Sequence, residues 1–591
     1  MDSSALNLQR PQRWTFHGVD VGIRAWQRAC RRSLTDPQAE RPLSKVAVRN
    51  WSLVVERAMS RPHAPLVIAL AATVLVHFGT LSSGFHNDDY LHLWLMRTAP
   101  LHVFLAATHG GHVMVLPKLI MLGLSSLFGL AAGPHMALAL ALHLVNVVLL
   151  YRVIVRFGGS PLAAGAFAIL WGASPSHQGV LSWMSSHGFI LGTTTTLAAV
   201  NELARATSEG RKPSAVELLR VNLFVALGAL SLGAASSVAL VIPVIVWLLV
   251  PSDLAPWRAA MAMAPEWIFT VAVLANVVGF GVSPNLLAAT KLFACLLAYG
   301  AGVAFAGPIL IVTERGMGIE QAPIELASTA SFVTAAVVAG TVAWGFARAG
   351  AAERRTIIGF LTLSVAMYGA VAVGRAQWGG VYSAFSLAMQ DRYHYAPTIG
   401  MVMTVALVIS PQHSVPAARP SNGILALAVF AVLAGAPLAL ADATRETAVW
   451  ARAHLTLTEE VVTSVVRAQP NGDVYLRNEN FAPATFAAWM ENDRSTFPGI
   501  GAYWALAHPS PWVGDHHLRF VDKDPNVGRA LTHLSAGVRE FFASVEEARE
   551  AGTQVHSLDE AVPAELEKAY RGSFDPVFAR AMAREFRAPH G

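Results

Sequence analysis

Residues 65–90 read PLVIALAATVLVHFGTLSSGFHNDDY. The stretch opens as an apolar run close to the ~20 residues that cross a bilayer as a helix, and it ends in a polar turn with two adjacent carboxylates. Runs of the first kind recur along the 591 residues, of which 54% are hydrophobic and only 14% are Asp, Glu, Lys or Arg. Soluble globular domains carry roughly 25% charged residues. With a mean hydropathy of +0.45, the chain reads as an integral membrane protein, and the soluble-enzyme, fibrous and disordered classes are excluded.

Upstream of that stretch, residues 1–63 hold 11 Lys or Arg against 5 Asp or Glu, whereas the whole chain has a net charge of +5. The excess therefore sits before the first span. A basic segment there is a cytoplasmic retention signal that also meets anionic lipid headgroups, and it points to no nucleic-acid partner. It is too long and polar for a cleaved signal peptide. Cys30 and Cys295, with no metal-ligand spacing between them, support neither a disulfide framework nor a zinc site.

Downstream, apolar runs cover 65–83, 113–130, 134–156, 161–174, 178–200, 216–233, 236–250, 260–282, 286–312, 327–347, 356–374, 397–411 and 423–442. The positive-inside rule decides which of them cross. If 113–130 lies on or re-enters the membrane without crossing, Arg152, Arg156, Arg205, Arg211 and Lys212 all fall inside. If 260–282, which contains Pro265 and Glu266, does not cross, Arg348, Arg354 and Arg355 join them. Eleven spans result, with a cytoplasmic N-terminus. Segments 84–112, 174–180 and 375–396 then share the exported side. Residues 443–591 form an exported domain, read as helix near 443–468, strands at 474–476, 501–507 and 516–522, and helix over 527–551. The expected fold is an all-α polytopic membrane domain (64–442) of about eleven transmembrane helices, with a basic segment (1–63) before it and a small α+β domain (443–591) after it.

Four constellations carry possible chemistry. His86, Asn87, Asp88, Asp89, Tyr90 and His92 follow the first run. Crowded carboxylates raise one another's pKa and suit a general base or a cation site; a solvated turn is the competing reading. His109 and His112, after His102 and before Lys118, lack a carboxylate or Cys at metal spacing and fit polar contacts to a sugar or phosphate better. Pro175, Ser176, His177 and Gln178 lead into Trp183 and His187, where an intramembrane histidine suggests function and the small residues suggest helix packing. Gln390, Asp391, Arg392, Tyr393, His394 and Tyr395, preceded by Arg375, place guanidinium groups among aromatics. That suits phosphate recognition, or an aromatic belt with Asp391 paired to Arg392.

In this order, Phe85-x-x-Asp88-Asp89-Tyr90, His143-Leu144-Val145-Asn146, Pro175-Ser176-His177 with Trp183, and Asp391-Arg392-Tyr393-His394-Tyr395-Ala396-Pro397 resemble the GT-C superfamily of polytopic glycosyltransferases. The likeness is to the protein O-mannosyltransferase-like branch with membrane-bound tetratricopeptide relatives, and it covers roughly residues 65–442. The resemblance implies an inverting hexosyltransferase that takes sugar from a polyprenyl-phosphate donor and passes it to a protein, lipid or glycan acceptor at the exported face of a bacterial inner membrane. It implies Asp88, with Asp89 beside it, as the base. Arg392, Tyr393, Tyr395 and Arg375 would hold the donor phosphate, and His86, His112, His177 and His187 would contact substrate. A divalent metal stays open and no other cofactor is implied. The chain departs from the pattern at Ser236-Ser237, where relatives commonly carry Lys-Glu, and at Gly179 and His187, where they often have Glu and Arg. It also lacks the C-terminal repeats. The residues alone leave a lipid or glycan flippase and an inactive scaffold as other readings. A transporter, however, calls for midplane charges and internal repeats, and this chain shows few of the first and no sign of the second.

Overall fold

In the computed structural model the described residues are 63–85, 88–106, 112–250, 255–277, 285–307, 324–376, 384–388, 390–409, 472–477, 512–513, 515–522, 542–552 and 555–557. The basic segment 1–62, the run 423–442 and the expected elements at 443–468 and 501–507 lie outside them.

Helices dominate. In chain order they are α1 (Ala64–His77, continued as a 3-10 turn to Ser82), α2 (Asp88–Thr98), α3 (Leu101–Ala106), α4 (Val115–Phe128), α5 (Ala132–Arg156) and α6 (Pro161–Gly172). They continue as α7 (His187–Ser208), α8 (Ala215–Ala229), α9 (Gly233–Leu249), α10 (Pro256–Ala262), α11 (Ala264–Val277), α12 (Leu286–Phe305), α13 (Ile324–Arg348), α14 (Ala351–Arg375) and α15 (Thr398–Ile409). Local sequence sets several boundaries. Ser160 caps α6 by accepting a hydrogen bond from Ala163 N, with Pro161 in its first turn. Ser214 and Glu217 form a reciprocal capping box at the start of α8. Gly129, at φ 62°, ends α4 in a conformation that side chains disfavour.

Among the described residues five helices are long and apolar enough to cross a membrane: Ala64–Ser82, Ala132–Arg156, Leu286–Phe305, Thr329–Arg348 and Ala351–Arg375. The runs expected not to cross form helices of 14 residues each, α4 and α11. At 1.5 Å per residue these reach only about 21 Å. Other runs give shorter helices than their hydropathy suggested. The run 161–174 yields the 12-residue α6, and 178–200 does not form one helix. It breaks at Ser182 and Trp183, where the backbone of Trp183 is extended, and α7 starts at His187 and continues to Ser208. At the break Ser185 N and Oγ both donate to Asp89 Oδ1, so a backbone N–H that could have served a helix is taken by a side chain and α7 starts downstream.

Helix α9 packs along α14 and beside α8, and α7 packs against α5 and α8; α15 lies against α14, α6 and α5. Arg156, Arg211 and Arg355 lie at one end of this bundle. Arg355, in the first turns of α14, donates to the carbonyls of Trp247 and Val250 at the end of α9. Arg156 at the end of α5 donates to Asn201 Oδ1 at 2.7 Å, and Arg211 donates to both carboxylate oxygens of Glu217. Exposed Glu209 also accepts from Arg211, which lowers its pKa.

The C-terminal residues form a sheet of β1 (Gly472–Arg477), β2 (Trp512–Val513), β3 (His516–Asp522), β4 (Phe542–Ser544) and β5 (Val555–Ser557). β3 lies beside β1 in parallel, with Val474 opposite Leu518. β1 continues in parallel to β5, and β2 (antiparallel) and β4 (parallel) both pair with β3. The strands expected at 474–476 and 516–522 are present. Of the helix expected over 527–551, residues 527–541 lie outside the described residues; in the part that is described, Phe542, Ala543 and Ser544 pair with Phe520, Val521 and Asp522 as a strand, and Val545–Glu550 is helical, as α16. Burial of Ala543 against Val521 and Tyr475 in the sheet core overrides the local helical preference.

Candidate functional site

The far end of the α9–α14 pair from Arg355 carries Arg375, the last residue of α14. Twenty residues of helix separate the two arginines, roughly 30 Å of rise, which matches the hydrocarbon thickness of a bilayer. Arg375 is buried and donates to His112 Nε2 at 3.2 Å. His112 in turn lies against the turn between α8 and α9, where a Cβ on Gly233 would stand 2.6 Å from His112 Nδ1. Nearby, Leu116 N donates to Leu230 O. The absence of a side chain at 233 is what lets the imidazole close over that turn.

The Arg375 guanidinium lies 5.6 Å from the centre of the Tyr393 ring, and that of Arg392 lies 5.3 Å from the same ring. Arg392 also stands 4.8 Å over Trp183 and donates to Gln390 Oε1 at 2.5 Å. Two guanidinium groups thus share one tyrosine. Among the described residues the partners of Arg392 are this amide and these two rings, none of them a carboxylate. Stacked on aromatic faces, a guanidinium keeps its in-plane N–H donors free for an oxyanion.

Asp89 reaches the same region from α2. It is fully buried, and its Oδ1 accepts from both Ser185 N and Ser185 Oγ at 2.7 Å, two residues beyond Trp183. A carboxylate held this way ties α2 to the turn before α7. Asp88 is the first residue of α2, one position closer to the preceding loop. The side chains of Asp88, Tyr90 and Asp391 lie outside the described set, as do His86 and His109. Ser236 and Ser237 are buried, and their hydroxyls donate to the carbonyls of Ala229 and Ala234.

Two of the expected site residues belong elsewhere. Tyr395 is fully buried; its hydroxyl donates to His143 Nδ1 at 2.7 Å and accepts from Asn146 Nδ2 at 3.2 Å. His177, also buried, sits with its ring centre 4.6 Å from that of Tyr395 and 4.7 Å from that of Trp171. Together with His77 and His143 they form a second, inner group of rings. Burial drives the pKa of His177 well below its usual value, and the neighbouring histidines add to the effect. His187, half-buried, begins α7, and its Nε2 has no partner among the described residues. His77 escaped the motif reading, and His143 entered it only within His143-Leu144-Val145-Asn146, with no role of its own. For His77 the one sequence signal is a histidine inside an apolar run, which by itself marks a candidate site in a membrane protein.

Comparison with protein-family models and with curated proteins returns no match to this chain.

Proposed function

We infer that the chain is a membrane glycosyltransferase that takes a sugar from a polyprenyl-phosphate donor at the end of the bundle where His112, Arg375 and Arg392 meet. The observation that carries this reading is the pair of guanidinium groups on Tyr393, drawn from two chain segments and backed by Trp183 and His112. A departing phosphate carries negative charge that must be stabilised as the anomeric bond breaks, and two preorganised arginines supply that positive charge. The acceptor hydroxyl needs a base. Asp89 is committed to Ser185, so the role falls to Asp88, with Asp89 fixing the helix that presents it. Inversion follows from attack on the face opposite the phosphate. The reading carries eleven spans, a cytoplasmic N-terminus and an exported C-terminal domain. The separation of the basic end of the bundle from the arginine–aromatic end supports that orientation.

The test is donor-concentration dependence of sugar transfer by the purified protein. Arg392→Lys keeps the charge and loses the planar fork, so donor use should weaken at least tenfold, the effect of about 1.4 kcal/mol. Asp88→Asn should lower turnover by about 10²- to 10⁴-fold with donor binding kept. Wild-type behaviour in both variants would remove the transferase reading.

A further inference from the structure

The inner ring group joins three histidines that the chain keeps far apart. His77 ends α1, His143 lies in the middle of α5, and His177 closes the 3-10 turn after α6. All three are buried, and one ring nitrogen of each lies within 4.8 Å of those of the other two.

Their hydrogen bonds define the tautomers. His77 Nε2 and His143 Nε2 both lie against the carbonyl of Gly172, at 3.1 and 2.8 Å. A carbonyl only accepts, so both Nε2 atoms carry protons and, in neutral rings, both Nδ1 atoms present lone pairs. His143 Nδ1 takes the Tyr395 hydroxyl proton at 2.7 Å. His77 Nδ1 lies 3.2 Å from the side-chain amide of Gln178. With the amide turned so that its nitrogen faces the ring, Gln178 Nε2, otherwise without a partner, donates to that lone pair. His177 Nδ1 remains buried with no partner. A native structure rarely leaves such an atom unsatisfied without a role for it.

We propose that His77, His143 and His177, with the Tyr395 oxygen as fourth donor, form a binding site for a transition-metal ion of the zinc class. Neutral imidazoles select zinc, copper, cobalt or nickel over magnesium or calcium, which prefer oxygen. A ligating histidine characteristically anchors its other N–H on a backbone carbonyl, and Gly172 O performs that service for two rings at once. Tetrahedral zinc with bonds of about 2.05 Å puts its ligand nitrogens roughly 3.3 Å apart, a spacing the three rings reach by drawing together from within 4.8 Å. The Tyr395 oxygen already stands at ligand–ligand distance from His143 Nδ1. On coordination its O–H proton leaves to solvent and the phenolate lowers the buried charge of a divalent ion from two to one. Asn146 Nδ2, at 3.2 Å, continues to donate to that oxygen. The site would clamp α1, α5 and the turn after α6 to the segment that carries Tyr393. It is independent of the transferase reading.

The experiment measures metal per chain on the full-length protein, purified in detergent through a histidine-free affinity tag after growth with added zinc and washed with a chelator. About one ion per chain is expected for a four-ligand site. His77→Gln, His143→Gln and His177→Gln should each retain less than about a tenth of it, while His102→Gln with His109→Gln should retain it in full. Helical circular dichroism and gel filtration report folding. If the glutamine variants misfold, His177→Cys, which keeps a ligand, should bind cobalt with a thiolate-to-metal charge-transfer band. A wild-type protein that carries no ion after growth with zinc, cobalt or copper would overturn the proposal. So would an ion that survives His177→Gln, or a folded His177→Cys protein without the band. None of these readouts involves sugar transfer, so they stand apart from a failure of the transferase reading.

Discussion

His394 shows how one buried residue ties stability to pH. Its Nε2 donates to Ala388 O at 2.6 Å and its Nδ1 accepts from Tyr368 OH at 2.9 Å, so the neutral ring is fully satisfied and a second proton has no acceptor. Burial lowers its pKa from 6.5 to about 4. In the unfolded chain the same ring protonates near its ordinary value. Between pH 6.5 and about 4 the unfolded state therefore binds a proton that the folded state refuses. Stability falls with pH across that window, by about 1.4 kcal/mol per pH unit for each such histidine. Thermal melts in detergent from pH 7 to pH 4 should show this loss, with a shallower slope in His394→Asn. Parallel slopes in the two proteins would assign the acid sensitivity to other groups.

Among the helices, α1, α5 and α6 meet at a close junction. A Cβ on Gly172 would lie 2.5 Å from Thr73 Oγ1 on α1 and 2.7 Å from Val147 Cγ2 on α5. The close approach lets the Gly172 carbonyl serve both His77 and His143. Gly172→Ala should cost about 1–3 kcal/mol through overpacking and should loosen the histidine group with it. A lowered melting temperature, beside an unchanged one for Gly179→Ala, where a Cβ meets nothing within 4 Å, would be the expected pair of results. Equal shifts for both would mean that the junction has more room than its geometry implies.

The described helical bundle has two distinct ends, with Arg156, Arg211 and Arg355 at one and the arginine–aromatic site at the other. Orientation in the membrane can be read by labelling single cysteines introduced after Cys30→Ser and Cys295→Ser. Gln178 is buried and unsuited to this, whereas His102, Ser208 and Arg354 are exposed. His102→Cys should label in intact cells, and Ser208→Cys and Arg354→Cys only after permeabilisation. The reverse pattern would put the site on the cytoplasmic side and end the exported-transferase reading.

The sequence by itself determined the solvent. A chain with 14% charged residues and runs such as 65–83 and 134–156 must bury its backbone polar groups in helices within lipid, and the five membrane-length helices follow from that. It also determined helix starts where a cap is local, as at Ser160 and Ser214. Only the tertiary structure decided which side chains meet. Tyr393 and Tyr395 sit two residues apart in one motif, yet the turn after Tyr393 sends the first to Arg375 and Arg392 and the second to His143 and Asn146. Likewise the partners of Arg375 and Tyr395 lie 263 and 252 residues away. Periodicity and capping act over a few residues. Contacts of that range arise from how helices of given length and small-residue faces pack, which no local pattern encodes.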